Sequence, residues 1–358
     1  MNIKVKSVSP NNNYSIQIKT GLISDFGQII KKKSNGKIVV LTNKKVHRLW
    51  YKKLHTSFKW AGIKEKLIIV PDGERYKNNR TYNKVISNML ENNIDRYSTL
   101  VTFGGGVIGD LGGFVAATYM RGITLIYIPT TLIAQVDSSI GGKVAIDHPK
   151  AKNIIGAFYN PELVLTDPDI LKTLSDTEYT NGLFEVVKIA LVYDKKLYVY
   201  FCKNFNKIIN RDSKIIESLI KKSAKLKAEI IQKDPFEKDL RMILNFGHTF
   251  GHALETSGGY KNISHGVAVG WGMLLALNLS ENYKLIDLSK HQETIAIIKR
   301  LLGKNKLGKL NLTRIWATMC HDKKAVNKKV RFVLLKGVGR SIIKEVDKKS
   351  FIKSLGKL

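Results

Sequence analysis

Cysteine is nearly absent from this 358-residue chain. Cys202 and Cys320 are the only two, and neither belongs to a Cys-x-x-Cys pair. That excludes a disulfide framework and a thiolate zinc site, and it suits a reducing cytoplasm. Long apolar runs are missing as well. Segments such as 123–129 and 271–279 fall far short of the roughly 20 residues that a membrane span requires. The opening Met-Asn-Ile-Lys-Val-Lys lacks the apolar core of a secretion signal, so no leader is expected. Acidic residues are scarce, with 29 Asp and Glu against 60 Lys and Arg, for a formal net charge of +31. Such an excess suggests nucleic acid, but its distribution argues otherwise. Lysine pairs and triplets recur along the whole chain without aromatic interleaving. Lysine, asparagine and isoleucine are abundant together, as A/T-rich coding produces. The expected partner of this field is therefore a small anionic substrate, with no nucleic acid and no membrane.

What is present divides at about residue 172. Up to that point short apolar runs alternate with helical stretches. Segments 37–42, 66–71, 98–103 and 123–129 read as strands, and 82–92 and 110–119 as helices. This is the pattern of an α/β domain with a largely parallel sheet. From 173 to 358 the pattern is mainly helical: 183–192, 215–233, 242–255, 267–282 and 292–299 are predicted helices, and 330–335 a late strand. The two regions, 1–172 and 173–358, are expected to frame a cleft.

Three motifs carry chemistry. Gly104-Gly-Gly-Val-Ile-Gly-Asp110 follows a strand and matches Gly-x-Gly-x-x-Gly, which predicts a phosphate-approaching loop. The acidic residue that usually holds a ribose about 20 positions later is missing, so the common dinucleotide arrangement is not expected; a tight strand–helix turn is the plain alternative. Gly141-Gly142-Lys143 resembles a P-loop ending, but Asp137 and Val144 occupy positions where that motif needs Gly and Ser or Thr. A lysine after a flexible pair remains, followed by Lys152-Asn153. The third motif is histidine-rich. His248 and His252 lie four apart and share a helix face, and His265 follows closely. Zinc commonly takes two histidines and one carboxylate. Spacing leaves the third ligand open among Glu185, Glu255 and the three histidines, and Glu185 with Lys188 reads equally as an i,i+3 ion pair.

In order and spacing these segments resemble the 3-dehydroquinate synthase family of the sugar-phosphate cyclase superfamily. The carriers are Pro71-Asp-Gly-Glu74, the Gly104–Asp110 loop, Arg121-Gly122, Pro129-Thr-Thr131, Asp137–Lys143, Lys152–Phe158, Glu185-Val-Val-Lys188, Leu244–His252 and Asp322-Lys-Lys324. The resemblance implies a Rossmann-like α/β N-terminal domain that binds NAD, and a mainly α-helical C-terminal domain that binds metal and substrate. It implies a metal, zinc or cobalt, on Glu185, His248 and His265, which moves His252 to the substrate side. Asp137, Lys143, Lys152, Asn153, Lys188, Lys227, Glu237, Arg241, Asn245, Lys323 and Lys324 then face substrate, with Lys143 a buried cation. Arg121 is implied to reach the partner's site in a homodimer. NAD contacts map to Asn43, Glu74, Lys77, Gly105, Gly106, Val107, Asp110, Thr130, Thr131, Lys143, Lys152, Thr173, Leu174 and Glu178.

The activity implied is conversion of 3-deoxy-D-arabino-heptulosonate 7-phosphate to 3-dehydroquinate and phosphate. Its course is transient oxidation by NAD, β-elimination of phosphate, reduction, ring opening and intramolecular aldol closure. The alternatives are another sugar-phosphate cyclase or a metal-dependent polyol dehydrogenase. Departures from the family pattern at Thr180, Phe184, Ile189, Ala190 and Val267 predict a working enzyme with weakened support around the metal.

Overall fold

Strands buried on both faces read as unbroken apolar runs, and such runs build the centre of the N-terminal region. The computed structural model describes residues 13–257, 263–308, 310–321, 325–326 and 329–358. The chain divides into two units, Met1–Thr173 and Leu174–Leu358. In the first, the strands are β1 (Ser15–Ile18), β2 (Ile38–Asn43), β3 (Glu65–Val70), β4 (Thr99–Gly104), β5 (Thr124–Pro129), β6 (Lys143–His148), β7 (Ala151–Phe158) and β8 (Leu163–Thr166). Six of them form one sheet in the order β1-β8-β5-β4-β2-β3, every pair parallel. Strand alternation sends Val40, Phe103 and Ile126 to one core with Phe26 and Phe58, and Val39, Leu41 and Leu100 to the other with Met89 and Leu111.

β2 through β5 match the four strands read from the sequence. β1, at the edge, and β8, between β1 and β5, have four residues each, too few to carry a pattern. The antiparallel hairpin of β6 and β7 was not anticipated, because β7 is largely exposed and does not alternate. The chain runs from β2 outward to β3 on one side and to β4 on the other. That reversal leaves a crevice at the carboxyl ends of β2 and β4, where ligands of open α/β sheets bind.

Helix α1 (Asn79–Glu91) and helix α2 (Gly106–Thr118) cover one face of this sheet. α2 starts earlier than residue 110, directly from the glycine loop. Two of its glycines serve packing rather than ligand approach. A Cβ on Gly109 would lie 2.1 Å from Tyr127 Oη, and one on Gly112 2.2 Å from Thr102 Cγ2.

The second unit is mainly helical. Its site-forming helices are α3 (Asp176–Tyr193), α4 (Ser213–Lys233), α5 (His248–Ser257) and α6 (His265–Asn282). The late strand is β9 (Lys329–Gly337), paired with an unanticipated β10 (Arg340–Val346). The helix predicted over 242–255 is broken. A 3₁₀ turn at Leu240–Asn245 precedes α5, and Gly247 between them takes φ +80°. A Cβ on Gly272 would fall 1.8 Å from Gly247 O, so α5 and α6 meet backbone to backbone. Among the described residues, no helix is long and apolar enough to cross a membrane.

Candidate active site

The carboxyl edge of the parallel sheet gathers most residues expected to touch a dinucleotide. Asn43 ends β2, where its side chain accepts the Val46 amide hydrogen at 2.8 Å. Gly105, Gly106 and Val107 open α2, whose first amides point outward as an anion-binding helix start does. Thr130 and Thr131 follow β5, and Glu74 and Lys77 follow β3. Thr173 ends the unit, with its hydroxyl accepting from Trp50 Nε1 at 2.7 Å. Leu174 and Glu178 open the second unit, where Ser175 caps α3 by accepting the Glu178 amide.

Lys77 is the hub of this edge. Its ammonium is buried, 3.0 Å from Glu74 Oε1, 3.1 Å from Asp110 Oδ2 and 3.8 Å from Asp147 Oδ1, and it donates to Asn153 Oδ1 at 2.5 Å. Asp147 in turn accepts the Asn153 amide at 2.8 Å, which holds Asn153 at φ +54° beside Lys152. Burial works against the charge on Lys77, but the carboxylates of Asp110, Glu74 and Asp147 outweigh it and raise its pKa. The pair with Asp110 is unequal. Burial pushes the Asp110 carboxyl up to about 6, because one cation does not offset both desolvation and two neighbouring carboxylates.

A testable consequence follows. Asp110 titrates higher folded than unfolded, so its favourable contribution is complete below about pH 4 and is lost as pH rises through about 6. Asp110→Asn is therefore expected to stabilise the protein by about 1–3 kcal/mol at pH 8 and by roughly a third of that at pH 4.5. Thermal unfolding at both values checks this, and equal or lower stability of the variant at pH 8 would contradict it.

Two expected residues sit elsewhere in this unit. Lys143 was expected to be a buried cation; it opens the hairpin at β6 and is exposed. Arg121 is exposed in the left-handed region at φ +66°, just before β5. It lies a full strand length, about 20 Å, from Thr130 at the other end of β5. Asp137 lies on the turn Ala134–Ser138.

In the second unit, α3 presents Asn181, Glu185 and Lys188 at i, i+4 and i+7, hence on one face, and all three are buried. The Lys188 ammonium pairs directly with Glu185 Oε2. Glu185 Oε1 lies 3.5 Å from His248 Nε2 and 3.3 Å from His265 Nε2. Neither Glu185 oxygen accepts a well-directed hydrogen bond among the described residues. Donors held about 2.1 Å from a tetrahedral cation stand about 3.4 Å apart, so the spacing of this trio fits a divalent metal. Burial would raise the Glu185 carboxyl, but Lys188 and the two imidazoles hold it well below the usual range. His248 is pushed well down by burial and by Lys188, which keeps its ring neutral.

Asn181, whose only sign in the sequence is its i, i+4, i+7 register with Glu185 and Lys188, fixes where α6 begins. Its side-chain oxygen accepts the Gly266 amide at 3.1 Å and the Ser264 hydroxyl at 2.9 Å, placing His265 over Glu185. Phe184 departs from the family pattern without steric conflict. It is fully buried where Gly266 and Gly270 leave room for its ring. Ile189, Ala190 and Val267 are core residues, and Thr180 is half-buried on α3.

Several of the polar residues expected to face substrate lie on elements of this unit that pack against α3. Lys227 is buried on α4, which packs on α3. His252 is exposed one turn after His248, with ring centroids 5.2 Å apart. Arg241, Glu237 and Asn245 belong to a loop braced by Asp234, which the sequence reading missed. The Asp234 carboxylate accepts the amides of Lys238, Asp239 and Arg241 at 2.9, 2.8 and 3.0 Å. Arg241 Nη1 donates to Pro235 O at 2.6 Å, and Asn245 Nδ2 to Glu237 Oε1 at 2.6 Å. Lys323 and Lys324 lie outside the described residues.

Comparison with known proteins places this geometry in context. Residues 67–181 match the family model of the 3-dehydroquinate synthase N-terminal domain, and 182–325 that of its C-terminal domain. The chain is 40% identical over 340 residues to a 3-dehydroquinate synthase of Nitrosomonas europaea, covering 95% of this chain and 92% of that protein. It is 40% identical over 329 residues to one of Thermodesulfovibrio yellowstonii, covering 91% and 92%. Its fold resembles 2-epi-5-epi-valiolone synthase from Streptomyces hygroscopicus, solved with NAD+ and Zn2+, at a TM-score of 0.90, 22% identity and 99% coverage of both chains. It also resembles 2-deoxy-scyllo-inosose synthase complexed with carbaglucose-6-phosphate, NAD+ and Co2+, at a TM-score of 0.87, 22% identity and 96% coverage of both chains.

Proposed function

The chain belongs to the 3-dehydroquinate synthase family, and from that premise we propose how its residues divide the work. The enzyme is a lyase that converts 3-deoxy-D-arabino-heptulosonate 7-phosphate to 3-dehydroquinate and phosphate. The observation that carries our assignment is the convergence of Glu185, His248 and His265 within 4.8 Å, with Lys188 paired to the same carboxylate. When bound, a divalent cation supplies Lewis acidity at a substrate oxygen, and NAD supplies a hydride acceptor that is regenerated each turn.

The remaining roles belong to the chain itself. Glu185, His248 and His265 hold the cation, zinc or cobalt. Lys188 limits the negative charge on Glu185. Gly105, Gly106 and Val107 receive the NAD pyrophosphate at the start of α2; Asn43, Glu74, Lys77, Asp110, Thr130, Thr131 and Thr173 line the remainder, with Leu174 and Glu178 from the second unit. The substrate carries a carboxylate and a phosphate. Lys143, Lys152, Lys188, Lys227 and Arg241 neutralise them, while Asp137, Asn153, Glu237 and Asn245 orient its hydroxyls. His252, exposed beside His248, holds or releases a proton at a ring nitrogen. The NAD-binding role thus falls to the first unit, which ends at Thr173, and the metal-binding role to the second, which begins at Leu174. Free Cys202 and Cys320 fit a cytoplasmic enzyme.

Arg121 serves the partner's site in a homodimer. Its distance from its own glycine loop supports this role. Arg121→Ala and His265→Ala should each be inactive alone. Mixed and reassociated, they should recover about a quarter of wild-type activity, since half of the dimers hold one intact site. No recovery despite exchange would overturn the shared site.

Substrate class is tested by phosphate release from three sugars. Heptulosonate phosphate is the expected substrate; glucose 6-phosphate and sedoheptulose 7-phosphate lack the carboxylate and should react at least a hundredfold more slowly, because unmatched buried cations are costly. Comparable rates on either would assign the chain to a different cyclase.

A further inference from the structure

The two histidines of the trio are oriented in the same way. Each turns Nε2 toward Glu185 and leaves Nδ1 facing an acceptor. His248 Nδ1 lies 3.2 Å from the carbonyl oxygen of Phe246. His265 Nδ1 lies 3.5 Å from Glu255 Oε2. A ring nitrogen that donates its hydrogen backward leaves the lone pair of the other nitrogen pointing forward, which fixes the tautomer a metal needs. For His248 the acceptor is a neutral backbone group. For His265 it is a carboxylate, 8% exposed, one helical face along from His248 at i+7.

We propose that Glu255 is the positioning residue of the metal centre. Its carboxylate holds His265 in the Nδ1–H tautomer with Nε2 aimed at the cation. This rests on the assignment of Glu185, His248 and His265 as the ligands. Glu255 does two further things. Its charge makes the Nε2 lone pair a stronger donor, an effect the Phe246 carbonyl has less of. It also offsets charge: the dication, the Lys188 ammonium and the Glu185 carboxylate sum to +2 without it and to +1 with it.

A different use of the same atoms is possible in geometry. His252, Glu255 and His265 also bring one ligand atom each within 4.8 Å of one another. A cation there would take His265 Nδ1 while the first takes Nε2, requiring a fully deprotonated imidazole shared between two dications. It would also rest on His252, which is exposed. The single-cation arrangement needs neither condition.

The test is metal binding to the full-length apo-protein, prepared with chelator, by competition against a zinc indicator. Wild type should bind one zinc per chain. Glu255→Gln, which keeps an acceptor but no charge, should bind one zinc about tenfold more weakly. Glu255→Leu, which removes both, should bind about a hundredfold more weakly. The visible absorption of the cobalt-loaded protein should shift in both variants, which a purely structural role would not produce. Unchanged zinc affinity and cobalt spectra in both variants would overturn the proposal. So would two zinc ions per wild-type chain falling to one in Glu255→Gln, which would make Glu255 a ligand. Absence of stoichiometric zinc in wild type would instead refute the ligand assignment beneath it. Should Glu255→Leu fail to fold, Glu255→Gln alone decides.

Discussion

His265→Ala binds no stoichiometric divalent metal and loses turnover by a factor of about a thousand or more. His265 supplies one of three donors whose mutual spacing, 3.3 and 3.5 Å about Glu185 Oε1, suits a single cation. With two protein ligands left, a zinc site loses both geometry and most of its affinity. The lost Lewis acidity amounts to several kcal/mol of transition-state stabilisation, which sets the scale of the rate effect. The fold should survive, because the His265 side chain is 31% exposed and begins a helix whose start is fixed by Asn181. Metal analysis with phosphate release measures the effect. A variant that retains stoichiometric zinc would show that His265 is not a ligand.

Lys188→Met has the second-largest expected effect. Lys188 and Glu185 are 3% and 2% exposed, and breaking a buried pair by removing one partner costs about 3–5 kcal/mol. The lower end applies here, because His265 still faces Glu185. Burial opposes charge on His265, but the facing carboxylates of Glu185 and Glu255 raise its pKa to about 10, so the metal-free imidazole is cationic at neutral pH. The metal-free variant should therefore melt well below the metal-free wild type. Added zinc gives Glu185 a new cationic partner and should narrow the gap. If Lys188 faces substrate as proposed, turnover should still fall on the order of a hundredfold, since a preorganised positive charge is gone. Equal melting of the two metal-free proteins, or near-normal turnover, would contradict the pairing.

The legible and illegible parts of this chain differ in physical kind. β2, β4 and β5 were readable because a parallel strand buried on both faces is an unbroken apolar run; the edge strand β3 carries a similar run over residues 67–70 although one of its faces stays partly open. β6 and β7 were not readable, because only three residues of β6 are buried in a row and the largely exposed β7, which bears Lys152 and Asn153, carries no burial pattern. The break before α5 was missed because the apolar periodicity continues on both sides of it, and only the backbone of Phe246, extended at ψ 124°, and of Gly247, left-handed at φ +80°, interrupts the helix. The same limit applied to the metal ligands. His248 and His252 announce themselves by a four-residue spacing, yet Glu185 comes from another helix, and spacing could not choose among carboxylates. The family resemblance named the trio; the folded chain brings its atoms together. Asn181 had a faint sign, its i, i+4, i+7 register with Glu185 and Lys188. Asp234 had none, since its work is to collect three backbone amides.

The departure at Phe184 was expected to weaken the metal's surroundings. Its ring instead occupies space that Gly266 and Gly270 leave open, so the substitution is matched by its neighbours.

The central claim is that one divalent cation and one recycled nicotinamide act together in phosphate elimination. The most direct test follows inorganic phosphate and nicotinamide absorbance in the same reaction on heptulosonate phosphate, with and without chelator. Steady phosphate release with no net NADH is expected, abolished by chelation and restored by zinc or cobalt. Phosphate release that persists in chelator, or NADH that accumulates without phosphate, would contradict it.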